Sequence, residues 1–594
     1  MASTTTAASL QEETSTTTAD DAALQEEARR LVEALERGEA NEVLGPLYRY
    51  GRSSGTAALP RHATTTPPSV APEYAMGPAD DEVVQKTVAH VGPDHFPPLK
   101  ASYDLVAVGA GVAGLLSVIV GKSLGKRCLL VEKHYMGGDC LIVGCFPSKC
   151  LIACAKRAHE VRTAKEFGVF AENVSVDFPA VMRRARELRL SIAPHDSVAR
   201  YARDFCEDVV IAHAAFQSEN SLLLTDEKGA TQRVTFEKCV VCTGASPFVP
   251  AVLEGVPHLT NGNFFNLEDL PPRVSVVGAG PIGVEFAQAL QRCGSSVTIF
   301  EASAQLLVRE DPDAAQILSE ALVADGVQVL CGATVLEVQC SEKGEQRYAA
   351  PWATYFVKAR FADGSESRFE CEAVLNATGR APNVSGMGLA EAGVAYDTRS
   401  GVHVDDFGKT TNDKIYAAGD VCSAYKFTHA ADFMGRIAVR NAFLDARSPY
   451  SRLLVPWCTY SDPEIAHVGL YERELSDEPC DTYVRHLRDV DRCKCEGTTV
   501  GFVKITCKAG TDEILGATVV GPNAGDLISE LSVALQNNIG LRHLAATIHP
   551  YPTTAEAIRQ CAALVLPRTR NPALDSALQL RMAALRERDG ASSS

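Results

Sequence analysis

Two cysteines five positions apart are the residues of this chain best suited to chemistry. Cys140 and Cys145 lie in the stretch Gly-Gly-Asp-Cys-Leu-Ile-Val-Gly-Cys-Phe-Pro-Ser-Lys, which ends at Lys149. Helical spacing would bring their sulfurs within bridging reach, and the start of a helix favours a thiolate, the nucleophilic form. The pair therefore predicts thiol redox chemistry. A structural metal site is the alternative, disfavoured because no second cysteine or histidine pair lies nearby at finger-like spacing.

The chain carries one glycine pattern twice, each time between an apolar strand and a helix. The first glycine permits a tight turn, the second lets backbone approach a pyrophosphate, and the third lets helix and strand pack closely. An acidic residue, at the same offset in both copies, would accept hydrogen bonds from ribose hydroxyls. The repeat predicts two dinucleotide sites, for a flavin and a nicotinamide. Its residues are Gly109, Gly111, Gly114 and Glu132, then Gly278, Gly280, Gly283 and Glu301.

The composition restricts the class of protein. With 594 residues, 46% hydrophobic and 22% charged, the chain is expected to form three or four globular domains. A net charge of -17 argues against nucleic acid or a membrane as partner and leaves small molecules and proteins. Nineteen cysteines without regular spacing favour a reducing compartment, and the first residues have neither a secretory signal nor an Arg-rich transit pattern. A cytoplasmic location is the expectation.

Five ordered motifs resemble those of one enzyme family. The segment from Gly138 to Lys149 resembles the redox-active segment of the pyridine nucleotide-disulfide oxidoreductases, close to their mercuric reductase-like branch. The resemblance covers residues 103 to about 567. The other motifs follow in order: Cys242-Thr-Gly-Ala245, Gly278-Ala-Gly-Pro-Ile-Gly-Val-Glu285, Ala377-Thr-Gly-Arg380 and Tyr416-Ala-Ala-Gly-Asp420.

The resemblance implies an FAD site built from both halves of the chain. Asp420 would reach the ribityl chain, and an ion pair between Lys149 and Glu285 would lie beside the isoalloxazine and tune the flavin. Thr428 and His429 would add backbone contacts. The full set of implied FAD-binding residues is Gly109, Gly111, Gly114, Glu132, Gly138, Lys149, Thr243, Gly244, Asp420, Thr428 and His429.

The resemblance also implies a nicotinamide site and a catalytic sequence. Glu301 would repel a 2′-phosphate, and no basic residue follows until Arg309, so NADH is favoured over NADPH. Hydride would pass to the flavin, which would reduce the Cys140-Cys145 disulfide; Cys140 would exchange with substrate and Cys145 would form a charge-transfer thiolate. The implied nicotinamide-binding residues are Gly278, Gly280, Gly283, Glu301, Val335 and Gly379.

The predicted fold is mixed α/β, with two doubly wound Rossmann-like dinucleotide-binding domains and an α+β C-terminal dimerisation domain. The family forms homodimers in which this last domain completes the partner's active site. The predicted segments are a low-complexity extension with one short helix (1–95), the first part of an FAD domain (101–250), an NAD(P) domain (251–376), the second part of the FAD domain (377–448), an interface domain (449–567) and a tail (568–594).

One position departs from the disulfide reductases. They carry His-Pro-Thr-x-x-Glu near the C-terminus, with the histidine as acid-base, whereas this chain has Tyr551 there, with Glu556 matched and His549 two residues earlier. A tyrosine is a poor proton shuttle at neutral pH because its ordinary pKa is near 10. Mercuric reductases have tyrosine here too, yet they end in a vicinal cysteine pair, and residues 571–594 contain no cysteine.

The leading hypothesis is an FAD enzyme that passes electrons from NAD(P)H through the cysteine pair to a soft metal ion, a disulfide or another thiol-reactive acceptor. Tyr551 and Glu556 are its predicted acceptor-side residues, and no resident metal is expected. Dihydrolipoamide dehydrogenase is the enzymatic alternative. A flavin- and NADH-binding redox sensor or interaction protein is the alternative from another class.

Overall fold

The computed structural model describes residues 96–341, 346–475 and 479–568, together with 581–583 and 586. The short helix predicted around residues 24–35 lies outside the described residues. The chain is a mixed α/β protein with parallel sheets, which confirms the predicted fold class.

Residues 96–250 begin with a strand-turn-helix-strand unit and continue into a helical layer and two antiparallel hairpins. The strands are β1 (Ser102–Val108), β2 (Cys128–Glu132), β3 (Asp208–Ile211), β4 (His213–Ser218), β5 (Ser221–Thr225), β6 (Thr231–Val241) and β7 (Ala245–Pro247), and the helices are α1 (Val112–Ser123), α2 (Gly138–Ile142), α3 (Cys145–Thr163), α4 (Phe178–Ile192) and α5 (Val198–Asp204).

Residues 251–376 contain the second such unit and an antiparallel sheet. Their elements are α6 (Asn261–Phe264), β8 (Arg273–Val277), α7 (Pro281–Cys293), β9 (Ser296–Glu301), α8 (Pro312–Ala324), β10 (Gln328–Cys331), β11 (Thr334–Cys340), β12 (Tyr355–Arg360), β13 (Glu366–Cys371) and β14 (Ala373–Asn376).

Residues 377–448 return to the first unit and end in a long helix. Their elements are β15 (Arg380–Pro382), β16 (Tyr396–Asp397), β17 (Gly401–Val402), β18 (Ile415–Ala417) and α9 (Thr428–Leu444).

The rest of the chain forms an antiparallel sheet flanked by helices. Its elements are β19 (Trp457–Thr459), β20 (Glu464–Gly469), β21 (Cys480–His486), α10 (Asp491–Cys495), β22 (Phe502–Lys508), β23 (Ile514–Gly521), α11 (Ala524–Gln536), α12 (Leu541–Ala546), α13 (Glu556–Ala563) and α14 (Val565–Arg568).

The sheets place the two glycine turns at the carboxyl ends of parallel strands. The first sheet has the order β3-β2-β1-β6-β5-β4, with β18 added beside the end of β6, and the second has the order β10-β9-β8-β14. Strand β1 is buried on both faces, since Leu105 and Ala107 belong to one core and Val106 and Val108 to another. This double burial explains its continuous apolar sequence.

Helices α9 and α3 pack beside this edge of the sheet, and α3 begins with Cys145. Helix α9 packs against α1 so closely that a side chain at Gly435 would collide with the backbone of Ala113. Helix α3 packs against α4 and α7, with Leu151 and Ala155 buried in the second core. The stretch 138–167 has the length and composition of a membrane-crossing helix, a test that core helices of soluble proteins also pass. Leu151 and Ala155 of this stretch are buried, whereas Val161 and Phe167 are exposed.

Candidate functional site

The two glycine turns have the same hydrogen-bonded frame. Gly109 N donates to Val131 O at 2.7 Å, and Gly278 N donates to Phe300 O at 2.8 Å. Both glycines need a left-handed backbone, with φ of +104° and +100°. Such a backbone favours glycine.

A second motif closes over each turn. A Cβ on Gly109 would meet the carbonyl of Cys242, and a Cβ on Gly278 would lie 2.6 Å from the carbonyl oxygen of Ala377. These carbonyls belong to the Cys-Thr-Gly and Ala-Thr-Gly motifs that follow β6 and β14. The two motifs recur together in the sequence because each one packs on its glycine turn.

The middle and third glycines serve different purposes. A Cβ on Gly114 or Gly283 would collide with the carbonyl of the first glycine of its own turn. Gly280, by contrast, would meet nothing within 4 Å, and Gly111 would meet only the Cα of Gly138, at 4.0 Å. The turns are therefore tight on the helix side and open on the side where a pyrophosphate would approach, so they fit dinucleotides.

The two acidic residues are held in the same manner. Glu132 accepts hydrogen bonds from Ala110 N at 2.7 Å and His134 N at 2.8 Å. Glu301 accepts them from Ala279 N at 2.9 Å and Ser303 N at 2.8 Å. Burial raises the pKa of Glu132 against the opposing effect of these amides. Both carboxylates are fixed beside their turns, where a ribose would lie.

The cysteine pair does not lie in one continuous helix, which corrects the expected helical spacing. Cys140 belongs to the short helix α2, whereas Cys145 is the first residue of α3. The helical backbone is interrupted between them at Val143 and Gly144. Gly144 is required because a Cβ there would lie 2.6 Å from the carbonyl oxygen of Asp139. The break leaves Cys145 at the amino end of a 19-residue helix, where the dipole favours a thiolate.

The two thiols have opposite electrostatic environments. The pKa of Cys145 falls to about 6 because its thiolate accepts a hydrogen bond from Cys140 and one from Thr428, with the Lys149 cation adding to the effect. The Thr428 hydroxyl lies 3.3 Å from the Cys145 sulfur. The pKa of Cys140 rises because that thiol donates a hydrogen bond to Cys145 and is partly buried. At neutral pH the reduced pair therefore holds its negative charge on Cys145.

The ion pair between Lys149 and Glu285 joins three parts of the molecule. Lys149 Nζ lies 2.8 Å from Glu285 Oε2 and 4.3 Å from the ring centre of Tyr460. The other oxygen of Glu285, a buried residue, accepts a hydrogen bond from Tyr460 N at 2.9 Å. Helix α3, helix α7 and the loop after β19 thus meet at one charged contact, and the Tyr460 contribution was not foreseen from the sequence.

A second charged contact, centred on Arg380, was also not predicted from the sequence. The Arg380 guanidinium donates to the Asp139 carboxylate and to Ala245 O, and its Nε lies 3.9 Å from Asp420 Oδ2. Burial raises the pKa of Asp420, while Arg380 acts in the opposite direction. Arg380 therefore links the residue before Cys140 to the predicted ribityl-binding carboxylate. The Ala-Thr-Gly-Arg motif was the only sequence signal.

The other predicted cofactor residues lie around these contacts. Thr243 Oγ1 donates to Asn383 O at 2.8 Å, and Gly244 O accepts from Asn383 N at 3.0 Å. His429 Nε2 lies 2.6 Å from Pro456 O. Val335 is in β11 next to a register shift, and Gly379 has φ of +138°. Val335 thus lies in the antiparallel sheet β11-β12-β13 that follows the second unit.

The predicted acceptor-side residues lie in the last domain. Tyr551 is 69% exposed, and its hydroxyl donates to Asp491 Oδ2 at 3.1 Å. Glu556 is buried and accepts a hydrogen bond from Arg559 at 2.6 Å. His549 is turned inward, with Nε2 2.8 Å from Glu530 and a side chain only 6% exposed. At position 551 itself the exposed group is therefore a phenol and not an imidazole.

Within the described ranges, no group of three or more His, Cys, Asp or Glu side chains is arranged to hold a metal ion.

Comparison with known families matches most of the chain. The model for pyridine nucleotide-disulphide oxidoreductases matches residues 103–435, and the model for the dimerisation domain of the same group matches residues 455–562.

Named relatives fall into two activity groups. The chain is 29% identical over 493 residues to a mercuric reductase of Lysinibacillus sphaericus, covering 82% of this chain and 86% of that protein. It is 32% identical over 464 residues to a dihydrolipoyl dehydrogenase of Mycobacterium bovis, covering 77% and 97%.

Two solved structures have a similar fold. The Cu(II) complex of the HOCl-induced flavoprotein disulfide reductase RclA from Escherichia coli matches with a TM-score of 0.68 and 25% identity, over 79% of this chain and all of that one. LpdA from Mycobacterium tuberculosis matches with a TM-score of 0.69 and 27% identity, over 78% of this chain and all of that one.

Proposed function

The chain belongs to the pyridine nucleotide-disulphide oxidoreductases, FAD-dependent enzymes that use NAD(P)H, and from this premise we propose that it transfers electrons from NADH through Cys140 and Cys145 to a soft metal ion. The observation that carries the proposal is the exposed phenol of Tyr551 at the position where disulfide reductases have an imidazole. A disulfide or another thiol-reactive compound is the second acceptor class.

The cofactors fit the residues present. The open faces of Gly111 and Gly280 and the held carboxylates of Glu132 and Glu301 suit one dinucleotide in each turn. When bound, FAD supplies the step that converts a hydride from the nicotinamide into electrons for the disulfide. Glu301 favours NADH, because a 2′-phosphate beside a carboxylate would be repelled.

The cysteines have separate roles in this proposal. Cys145, with its pKa of about 6, remains a thiolate at neutral pH, stabilised by Cys140, Thr428 and Lys149. Cys140, with a raised pKa, keeps its proton, donates a hydrogen bond to Cys145 and is the thiol that meets the acceptor. Protein disulfide exchange needs a base that removes this proton and returns it to the leaving thiol.

A soft metal ion does not need that base. Thiolates bind soft metals directly, and reduction of a bound ion leaves no thiol to be protonated as a leaving group. Tyr551, whose pKa is raised by its hydrogen bond to Asp491, stays a neutral phenol that can donate or accept a hydrogen bond near the acceptor. The Cu(II) complex of the Escherichia coli disulfide reductase supports this acceptor class by similarity.

The dimerisation domain over residues 455–562 supports a homodimer. We further propose that Tyr551 of each subunit faces the cysteine pair of the other. A mixture of Cys140→Ser and Tyr551→Phe subunits tests this arrangement. If the site is shared, heterodimers contain one site that carries both substitutions and one intact site, so mixing restores part of the activity that neither parent homodimer has.

The acceptor assignment is tested by NADH oxidation with Cu(II), Hg(II), lipoamide or oxidised glutathione as the acceptor, in wild type and in Tyr551→His. We expect turnover with a metal ion in wild type, and a gain of disulfide turnover in Tyr551→His. Efficient lipoamide turnover by wild type would instead favour a dihydrolipoamide dehydrogenase. Absence of turnover with all acceptors, with FAD bound, would favour a redox sensor.

A further inference from the structure

The loop that closes the second glycine turn carries a cation that has no carboxylate beside it. Leu307 N donates to Ala279 O at 3.0 Å, so the loop returns to the turn at this residue. Arg309 follows two residues later and is exposed. Among the residues that the structure describes, no Asp or Glu oxygen lies within 4.0 Å of its guanidinium. A positive charge is therefore available next to the second turn.

The corresponding position of the first turn has the opposite charge. There the returning loop bonds through Gly137 N to Ala110 O at 2.9 Å, and the second residue after this donor is Asp139. The Asp139 carboxylate accepts a hydrogen bond from Arg380. The same place in the repeated frame thus holds a paired acid in the first copy and a cation without a carboxylate in the second. Only the second copy offers this charge to a bound anion.

A second cation comes from the segment after the predicted ribityl-binding carboxylate. Lys426 Nζ donates to Asp420 O at 2.9 Å and to Ser423 O at 3.4 Å, and in the described ranges no carboxylate oxygen lies within 4.0 Å of it. Burial lowers the pKa of Lys426 against the effect of Asp420, and the positive charges of Arg380 and Arg309 add to the decrease. Lys426 and Arg309 are therefore close enough for their charges to interact.

One indole joins the segments that carry the two cations. Trp457 Nε1 donates to Glu310 Oε1 at 2.8 Å, and the ring centre of Trp457 lies 6.5 Å from that of Tyr425 and 6.4 Å from that of Phe427. Each cation is the direct sequence neighbour of one of these contacts. The interface domain, to which Trp457 belongs, thus holds the loop of the second turn beside the segment that leads from Asp420.

The net charge of the chain creates a need for cations at this place. The pyrophosphate of a nicotinamide cofactor carries two negative charges, and a protein with a net charge of -17 repels it at long range. A cofactor that binds and leaves in every cycle meets this repulsion each time, whereas a resident flavin does not. Two cations that no carboxylate neutralises would reverse the repulsion locally.

We propose that Arg309 and Lys426 bind the pyrophosphate of the nicotinamide cofactor, together with the backbone of the second glycine turn. A guanidinium can donate two parallel hydrogen bonds to a phosphate, and an ammonium acts as a point charge. Lys426 also holds the carbonyl of Asp420, so it connects the bound nicotinamide cofactor to the predicted flavin site. The inference concerns the electron donor and does not depend on the acceptor proposed above.

The test uses oxidised, FAD-bound holoenzyme, so that binding is measured without turnover. Isothermal titration calorimetry gives the affinities for NAD+, for NADP+ and for ADP-ribose, which keeps the pyrophosphate and lacks the nicotinamide. The variants are Arg309→Gln, Arg309→Lys and Lys426→Gln. Lys228→Gln is the control for net charge, because Lys228 is exposed between β5 and β6 and the 11 residues of β6 separate it from the cofactor end of the sheet.

We expect Arg309→Gln and Lys426→Gln each to weaken NAD+ and ADP-ribose by the same factor, about three- to thirtyfold, as for the loss of one charged contact that is partly screened by water. Their ADP-ribose affinity should also depend less on salt than that of wild type. Arg309→Lys should restore most of the affinity, and flavin content and Lys228→Gln should match wild type.

Arg309→Gln decides the test by itself, because an exposed side chain can be replaced without disturbing the fold. The proposal is wrong if this variant binds NAD+ as tightly as Lys228→Gln does. It is also wrong if only NADP+ binding is weakened, since Arg309 would then serve a 2′-phosphate. Failure of metal turnover would overturn the proposed acceptor and leave this result standing.

Discussion

The two glycine turns share the same backbone hydrogen bonds and differ in the segment that follows them. In both, a loop that returns from the acidic residue bonds to the amino acid after the first glycine: Gly137 N to Ala110 O at 2.9 Å, and Leu307 N to Ala279 O at 3.0 Å. In the first turn this loop continues directly into the cysteine segment, with Gly138 against Gly111. In the second turn no such segment follows, and Gly280 stays open.

This difference explains how one repeated unit can serve two purposes. The segment that carries Cys140 begins against Gly111 of the first turn, so a dinucleotide bound there would lie next to the thiols. The second turn is accessible, which suits a nicotinamide cofactor that must bind and leave in every cycle. We propose that the repeat supplies binding and that the loop after each copy decides between a resident and an exchanging cofactor.

The largest expected effect follows substitution of the first glycine of either turn. An alanine at Gly109 or Gly278 would combine a strained positive φ, which costs about 1–2 kcal/mol, with overlap against a backbone carbonyl. We expect Gly109→Ala to be purified without flavin, and Gly278→Ala to keep its flavin but lose NADH reduction. Flavin absorbance and the rate of flavin bleaching by NADH measure the two effects.

Gly280→Ala is the matched control, because this position has an extended backbone and open surroundings. It should fold and keep FAD, and weaken only NADH binding. Equal flavin loss in Gly109→Ala and Gly278→Ala would contradict the assignment of one cofactor to each turn.

A smaller effect is expected at the acid of the second turn. Glu301→Ser removes the carboxylate that two backbone amides hold and leaves FAD untouched. We expect the KM for NADH to rise by roughly ten- to a hundredfold, the loss of one or two hydrogen bonds to a charged group. The KM for NADPH should change less, because the repulsion of a 2′-phosphate is also removed. A variant that loses NADH and NADPH use in equal proportion would contradict this role.

Substitution of Lys149 tests the effect of its charge on the cysteine pair beside the first turn. Lys149→Met removes a cation that lowers the pKa of Cys145 and leaves Glu285 without its partner. The pKa of Cys145 should rise above about 6 and flavin reduction should slow. Lys149→Arg, which keeps the charge, should restore most of both properties. The same Cys145 pKa and the same rate of flavin reduction in Lys149→Met as in Lys149→Arg would mean that the charge is unimportant.

The smallest effect is expected in the pH dependence of the charge-transfer absorbance. Because the pKa of Cys145 is lowered to about 6, the thiolate should persist above pH 6 and be lost as the pH falls through that value. The charge-transfer absorbance of the NADH-reduced enzyme should therefore decrease between about pH 7 and pH 5. In Lys149→Met the decrease should begin at a higher pH. A band that fades only above pH 8 would reverse the sign and reject the assignment.

The sequence was sufficient for those features that depend on neighbours along the chain. The glycine turns, their acidic residues and the cysteine segment follow local rules of backbone geometry and phosphate binding. The break at Gly144 was missed, because the helix rule treats Cys140 to Lys149 as one stretch, and only the backbone of Asp139 shows that a side chain cannot fit there.

Contacts between distant segments could not be predicted. The meeting of Arg380 with Asp139, and of Tyr460 with Lys149, depends on how the domains pack. The inward orientation of His549, which lies in the loop after α12, depends on Glu530 in helix α11. No local pattern distinguishes that histidine from an exposed one. The role of Tyr551, the location in the cell and the function of residues 1–95 stay predictions.

The most direct test of the central claim is an anaerobic NADH titration of wild type, Cys145→Ser and Cys140→Ser, followed by flavin absorbance. We predict a long-wavelength charge-transfer band in reduced wild type, none in Cys145→Ser, and a band in Cys140→Ser even before NADH is added, since its Cys145 thiolate is already free. Direct bleaching of the flavin in all three proteins, without that band, would contradict electron transfer through the cysteine pair.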